Sequence, residues 1–500
     1  MPDVVRQVGA RLSGQVDPLL QKRFYPGPFA NLRRSYAAFH SFDKAHTIAL
    51  TEAGLISADV AKAILKGLRE MEAEGIEPAR DRMGGGRHSG EAYLTGKLGA
   101  DVAGWINLGR SSGDLDAVAW RFNLRRRLPA VLGKVNRLRA ALIDVAERHV
   151  RTIMPAYSIG QHAQVSSLGH MLLSWEAPFA RDVKRGLEVF GAAGASPSGS
   201  GIMTGSTFPI SRRRTADLLG FDSVQVNTRD AVINLDVMLQ GHSVATIGIS
   251  NALSVANDLY LWTMTEFKFI DLEDSYCSTS SIMPQKKNSW ALAWIRGQAS
   301  IAIGRISGVF TILKGESDGL EDTLLGPWEL YETLDEFEDM ADMLAGMIAT
   351  MTVNTERLAA TASHGWTQAT DLAAALTQEA RISWRQAHQI VAHLVRESVD
   401  ARRQPEDVGS GDVDKVAERL LGRPIGVSER TIKDALDPRK ALDSRSAIEG
   451  SPAPDQVLVQ IKAARTALQH DQADVEARSK QLTDAAQRLD SAVDRILAAT

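Results

Sequence analysis

Val237-Met-Leu-Gln-Gly-His-Ser-Val-Ala-Thr-Ile-Gly-Ile-Ser-Asn-Ala-Leu-Ser-Val-Ala-Asn257 carries no Asp, Glu, Lys or Arg over a length able to cross a bilayer. Gln240, Gly241, His242, Ser243, Thr246, Ser250, Asn251 and Ser254 interrupt it, and such groups are costly in hydrocarbon. A helix surrounded by other helices accounts for both features. The stretch lies in a proline-free run from Arg229 to Phe267, with apolar positions at Val232, Leu235, Leu239, Ile247, Leu253, Leu259 and Leu261. Comparable runs cover Ser289 to Leu313 and Trp328 to Met351. At about 1.5 Å rise per residue, helices of this length form an elongated bundle. Strand-like alternation is rare. The pattern predicts a mainly α chain with a long central helical bundle. The tail beyond Pro454 reads as a surface or intersubunit helix.

Composition narrows the function classes. Acidic and basic residues are nearly balanced, at 61 and 57, so no global field favours nucleic acid or a membrane surface. Cys277 is the single cysteine, which excludes an intramolecular disulfide framework and a zinc-thiolate site. No carboxylate and histidine cluster has metal-ligand spacing, so neither metal nor cofactor is expected. The first residues lack the apolar core of a signal peptide, and a cytoplasmic location is expected. Segments rich in glycine or proline, at Arg82–Gly90, Gly194–Pro209, Asp274–Asn288 and Lys314–Pro327, are the loops where chemistry is expected.

One of these loops concentrates polar groups. Ser278-Thr-Ser-Ser-Ile-Met-Pro-Gln-Lys-Lys-Asn288 places adjacent serine hydroxyls, a proline, two lysines and an amide between two long helices. On composition alone it is an ordinary basic interhelical loop. A serine acts as a base only beside cations and hydrogen-bond donors, because its oxyanion is scarce at neutral pH. Lys286 and local backbone N–H groups supply both kinds of support.

The string resembles the Gly-Ser-Ser-x-Met-Pro-x-Lys-x-Asn signature of the fumarase/aspartase superfamily. Thr279 replaces the glycine, while Ser280, Ser281, Met283, Pro284, Lys286 and Asn288 match. The Pro-Gln-Lys-Lys-Asn form is similar to the argininosuccinate lyase branch. Leu108-Gly-Arg-Ser-Ser-Gly-Asp114 resembles that branch's Thr-Gly-Arg-Ser-Arg-Asn-Asp, and Met154-Pro-Ala-Tyr-Ser-Ile-Gly-Gln161 its Met-Pro-Gly-Tyr-Thr-His-Leu-Gln. Gly199-Ser-Gly-Ile-Met-Thr-Gly-Ser-Thr-Phe-Pro209 resembles its glycine loop, and Ala369-Thr-Asp-Leu-Ala373 its C-terminal motif. The resemblance implies a three-domain subunit, with an N-terminal helical domain over 1–110, a central long-helix bundle over 111–363 and a C-terminal helical domain over 364–500 with an extended tail, in a homotetramer whose active sites are each shared by three subunits. It implies release of fumarate from an N-substituted aspartate, with Ser280 removing the Cβ proton through an aci-carboxylate and Ser281 as its competitor. Lys286 and Asn288 would hold the reacting carboxylate. Arg110, Ser111, Ser112, Ser158, Thr204, Gln240 and Met283 complete the expected substrate contacts. The expected partners are a small dicarboxylate or aminopolycarboxylate and other copies of the chain, with no nucleic acid and no membrane.

The chain departs from the branch where the amine would sit. Ile159 stands at the histidine of the Thr-His pair, and Ala293 at its supporting glutamate. Ser112 and Gly113 replace Arg-Asn, and Asn107 and Leu108 replace His-Thr. His162 is a possible substitute acid, on another face if its segment is helical. An aliphatic amine is protonated at neutral pH and can leave without a dedicated acid. These changes favour an aminopolycarboxylate such as ethylenediamine-N,N'-disuccinate over argininosuccinate, the alternative substrate. Acidic Glu316, Asp318, Glu321 and Asp322 would suit an amine-bearing leaving group, or form a solvated turn. A catalytically silent structural protein, like the lens crystallins related to this branch, is the second alternative, and intact Ser280, Lys286 and Asn288 argue against it. His88 with Glu91, His170, His242, His364 and Cys277 are assigned no catalytic role.

Overall fold

The computed structural model describes residues 17–19, 32–312 and 326–499. Among the described residues, five helices form the bundle: α3 (Ser112–Arg148), after α1 (Tyr36–Glu52) and α2 (Ala58–Glu74), then α4 (Leu168–Ala192), α5 (Asp236–Thr263), α6 (Trp290–Ile312) and α7 (Gly326–Thr350). Of these, α3 packs on α4 and α7, and α5 packs on α4, α6 and α7. A last helix, α8 (Pro454–Ala498), lies along α3 and α4 and reaches α1 and α2.

Local chemistry sets these elements. Ser111 caps α3 in a reciprocal box: its hydroxyl accepts from the Gly113 N–H, and the Asp114 carboxylate accepts from the Ser111 N–H. Within α3, Leu115, Val118, Leu124, Leu128, Val131, Leu132, Leu138 and Leu142 are buried, as befits a helix covered by several neighbours. The Val237–Asn257 stretch is a bundle helix, and no helix among the described residues is long and apolar enough to cross a membrane. Its glycines permit close approach, because a Cβ on Gly248 would lie 2.1 Å from the Phe337 ring of α7. The proline-free run from Arg229 is broken, however. Thr228–Ile233 is a separate short helix, and Asn234 is extended before α5 starts.

Enclosure of α5 is incomplete. Gln240, Ile247, Ser250, Ser254, Asn257 and Leu261 form an open stripe along it. Helix α6 carries another, through Trp290, Trp294, Gly297, Ile301, Gly304, Gly308 and Thr311.

The tail helix packs one face on the body of the chain. Val457, Ile461, Leu468, Val475, Leu489 and Val493 of α8 are buried in the main core. Arg139 of α3 bonds Glu176 of α4 at 2.7 Å and Asp471 of α8 at 2.6 Å, which fixes the three helices together. Residues between Leu372 and Leu436 build a second, separate apolar cluster.

Among the described residues, strand content is confined to four two-stranded pieces. The longest is the antiparallel hairpin of β1 (Ile153–Ser158) and β2 (Gln161–Ser167). Parallel β3 (Ala195–Ser196) and β4 (Ser223–Val224) support the glycine loop. Further on, β5 (Ile270–Asp271) pairs with β8 (Thr352–Val353), and β6 (Ser278–Thr279) with β7 (Lys287–Asn288).

Candidate active site

The Ser278–Asn288 segment is a small hairpin with Ser278 opposite Asn288 and Thr279 opposite Lys287. Lys287 fixes its base: its ammonium contacts Asp271 at 3.2 Å and Asp274 at 2.8 Å, and also bonds the Leu272 carbonyl. Ser289 reaches Thr263 at the end of α5, at 3.2 Å. The two lysines therefore differ. Lys286 is exposed, and its side chain has no hydrogen-bond or ionic partner among the described residues. It is the cation available to an anionic substrate.

Inside the hairpin, the half-buried Ser280 Oγ accepts from two backbone groups, the Ile282 N–H at 3.3 Å and the Met283 N–H at 3.1 Å. The same donors that shape this turn would stabilise a serine oxyanion. Ser281 is exposed and receives no such bonds among the described residues, which separates the adjacent hydroxyls. Met283 is exposed, and Asn288 is half-buried on β7. Burial raises the Cys277 thiol above its usual range, so the neutral form is favoured beside this loop.

A second group of expected residues gathers where α3 begins. The glycine loop lies against Leu108–Asp114: a Cβ on Gly109 would be 2.6 Å from Ser206 Oγ, and one on Gly113 2.9 Å from Ile202 Cδ1. Thr204 is exposed on this loop, and Gln240 is exposed near the start of α5. Ser111 is committed to the α3 cap. Ser112 Oγ lies 2.8 Å from His88 Nε2. Burial, the largest cause, with Arg110 next, lowers the His88 pKa and favours neutral imidazole.

Arg110 is enclosed within the chain. Its guanidinium bonds Asp43 and Asn107, each at 2.7 Å, and the side chain is 2% exposed. Arg80 holds the other Asp43 oxygen at 2.6 Å. Burial alone would raise the Asp43 pKa, but Arg110 and Arg80 outweigh it and hold the carboxyl below its usual range. These bonds hold the Leu108–Asp114 turn, while Arg110 Nη1 is buried with no hydrogen-bond partner among the described residues. Sequence reasoning also missed two buried acids just inside α3. Burial pushes Asp114 and Asp116 each up to about 6, against the Ser111 N–H in the first case and Arg87 in the second. The Ser111-x-x-Asp114 capping pattern was the available signal for Asp114.

The Met154–Gln161 motif is a hairpin, not a helix. Ile159 and Gly160 form its two-residue turn with φ of 51° and 71°, a left-handed pair that suits Gly and strains a β-branched Ile. Ser158 is exposed and Ile159 is 99% exposed. His162 stands opposite Tyr157, with ring centroids 5.1 Å apart, and packs so closely on Gly365 that a Cβ there would meet its ring. It turns toward the Ala369–Ala373 motif, where Gln164 reaches Thr370 at 2.9 Å.

These groups are not united within one chain. Ser111 caps the start of α3, and the Ser158 hairpin follows its end. Thirty-seven helical residues separate them, roughly 55 Å by helix rise. The Ser280 loop sits at the far end of α5 from Gln240. The Glu316–Gly319 region and the other acids expected to receive an amine lie outside the described residues. A cleft of about 1050 Å³ between α1, α3 and α8, lined in part by Lys44, Glu72, Asn136 and Asp490, contains none of the expected residues.

Comparison with known proteins agrees with the motifs and the helical frame. Residues 30–304 match the lyase family model, and residues 366–443 match the argininosuccinate lyase C-terminal model. The chain is 34% identical over 466 residues to argininosuccinate lyase of Methanosarcina acetivorans, covering 92% of this chain and 93% of the relative. It is similar to the crystal structure of EDDS lyase with formate, at TM-score 0.88 and 29% identity, covering 99% of both chains. A variant of EDDS lyase with bound fumarate matches with the same values. The chain belongs to the fumarase/aspartase superfamily, in its argininosuccinate lyase branch. Within that family it is a carbon–nitrogen lyase of the fumarate-releasing type.

Proposed function

We propose that the chain cleaves an N-substituted aspartate of the aminopolycarboxylate class, with Ser280 as base, in a site assembled from several copies of the chain. The observation that carries the choice of base is the pair of backbone N–H groups on Ser280 Oγ, beside unpaired Lys286. As an oxyanion, Ser280 takes the Cβ proton, and the electron pair collects on the adjacent carboxylate. Lys286 and Asn288 stabilise that aci-carboxylate. Its collapse forms the fumarate double bond and expels the Cα–N pair onto nitrogen. A protonated aliphatic nitrogen leaves as neutral amine with no further acid.

The roughly 55 Å length of α3 between two of the motif groups and the open stripes on α5 and α6 support assembly from several copies. Both stripes step alternately by about three and four residues, the 3.5-residue spacing of a coiled-coil seam. Seams of this kind support a homotetramer packed through the central helices. Ser111, Ser112, Thr204 and Gln240 of one copy would then face Ser280, Lys286 and Asn288 of another, with Ser158 from a third. The cytoplasm is the compartment this reading favours. The likeness to EDDS lyase supports an aminopolycarboxylate. A second reading, argininosuccinate cleavage to arginine and fumarate, is favoured by the identity to argininosuccinate lyases.

The test follows fumarate absorbance with the purified chain and either ethylenediamine or arginine, with adducts identified by mass and Ser280→Ala and Ser281→Ala as controls. Ethylenediamine consumption abolished only by Ser280→Ala supports the reading. Arginine consumption moves the substrate to the second reading, and an active Ser280→Ala removes Ser280 as base.

A further inference from the structure

His88 takes no part in the proposed proton transfer, yet it is bonded to Ser112, one of the expected substrate contacts. Its Nε2 lies 2.8 Å from Ser112 Oγ, and its side chain is 24% exposed. A hydrogen bond between a neutral imidazole and a hydroxyl can run in either direction. The groups behind the ring decide which way it runs here.

The direction is fixed at Asn107. Arg110 donates to Asn107 Oδ1 twice, from Nε at 3.2 Å and from Nη2 at 2.7 Å. A guanidinium has no acceptor, so the amide oxygen faces it and the Nδ2 group faces away. That group donates to Glu91 Oε2 and stands 3.3 Å from His88 Nδ1. Turning the amide over would set N–H against guanidinium and oxygen against carboxylate. His88 Nδ1 is therefore the acceptor. Glu91 Oε2, 3.8 Å from Nδ1, is beyond hydrogen-bond distance of it. Burial, the largest cause, with Arg110 next, keeps the ring neutral. A neutral ring that accepts at Nδ1 carries its hydrogen on Nε2. Nε2 then donates to Ser112 Oγ, and the hydroxyl's own hydrogen is left to point elsewhere.

Ser112 is the first residue of α3, where the positive end of the helix favours an anion. The glycine loop packs against its neighbour, since a Cβ on Gly113 would lie 2.9 Å from Ile202 Cδ1. A hydroxyl that donates outward suits a carboxylate. One that had given its hydrogen to His88 would meet a carboxylate with lone pairs instead.

Resting on the lyase reading above, we infer that His88 is a positioning residue: held in succession by Asp43, Arg110 and Asn107, it turns the Ser112 hydroxyl into a hydrogen-bond donor toward a carboxylate of the substrate. The buried ion pairs near the start of α3 thereby act on substrate at one remove.

The experiment measures KM and kcat for addition of ethylenediamine to fumarate, or of arginine if that is the amine consumed. The full chain is used in a double-mutant cycle, with urea unfolding midpoints alongside. Ser112→Ala is expected to raise the fumarate KM by about tenfold, with a smaller change in kcat. His88→Leu is expected to raise it by roughly threefold to tenfold when Ser112 is present, and by less than about twofold in the Ser112→Ala chain, because its effect passes through that hydroxyl. His88→Gln keeps an N–H donor and is expected to restore most of the loss. Equal effects of His88→Leu in both backgrounds overturn the inference, as does a Ser112→Ala chain with unchanged KM, or a His88→Gln chain no better than His88→Leu. Each of these leaves the lyase reading intact. If His88→Leu does not fold, His88→Gln decides alone: a KM near that of the unmodified chain supports the inference, and a KM as high as that of Ser112→Ala overturns it. If the unmodified chain consumes neither amine, the reading of the site fails and this inference with it.

Discussion

Where α3 begins, Arg80, Asp43 and Arg110 form a charge cluster with side chains no more than 5% exposed and ionic contacts of 2.6 and 2.7 Å. Where α5 ends, Lys286 is exposed and unpaired, and Ser280 is held only by two backbone N–H groups. Both regions carry family motifs, yet one is largely paired within the chain, with Arg80 Nε and Arg110 Nη1 left over, and the other is open. Groups already paired in the fold set backbone shape, and groups left open are available for substrate. On this contrast we propose that Arg110 chiefly positions its turn and that the Ser280 loop carries the chemistry.

The largest effect that tests this contrast is at the open end. Ser280→Ala should lower kcat by about 10³–10⁴-fold with little change in unfolding midpoint, because its hydroxyl bonds only its own turn. A large loss of stability instead would make the serine structural. At the paired end the order reverses: Arg110→Ala should cost about 3–5 kcal/mol in urea unfolding, since Asp43 keeps only Arg80. Unchanged stability with a strongly raised KM would make Arg110 a substrate contact after all.

Acid stability should also follow the enclosed region. Burial lowers His242 to about 4, and it lies between Thr246 and Thr333 with Arg305 and Glu336 in electrostatic range. Its folded pKa lies below the unfolded value near 6.5, so its contribution is present above about pH 6.5 and lost as pH falls through about 4. The swing is at most about 3 kcal/mol, and His242→Gln should flatten that part of the stability profile. An unaltered profile would remove His242 from the account. The smallest effect is at the hairpin tip. Ile159→Gly should raise chain stability by about 1 kcal/mol through relief of the left-handed strain. A stability loss there would mean that the side chain is packed within its own chain.

The helical frame was legible because Val237–Asn257 combines missing charge with scattered polar groups, which only a bundle accommodates. The order of the motifs was legible for the same reason that the Ser280 loop was: polar residues with fixed spacing stand out between long apolar runs. What sequence did not reveal depends on partners far along the chain. Arg110 looks like an anion fork until Asp43, 67 residues away, is placed beside it. The α8 helix looks superficial until Arg139 and Asp471, 332 residues apart, are seen to pair. The His162 hairpin is hard to read, because Pro155 and a two-residue Ile159-Gly160 turn leave only a weak strand pattern. The Ser280 donors are backbone groups and leave no side-chain trace in a sequence.

The composite site is tested most directly by mixing two inactive chains. One carries Ser280→Ala, and the other carries Ser112→Ala with Thr204→Ala, so that each is defective at one end of the bundle. They are unfolded together, refolded, and assayed for fumarate turnover beside each chain refolded alone and a refolded wild-type control. Recovery to well above either parent is predicted, because some assembled sites draw both intact ends from different copies. If the wild-type control regains activity and the mixture does not, the two ends do not meet between chains, and the account of the site is wrong.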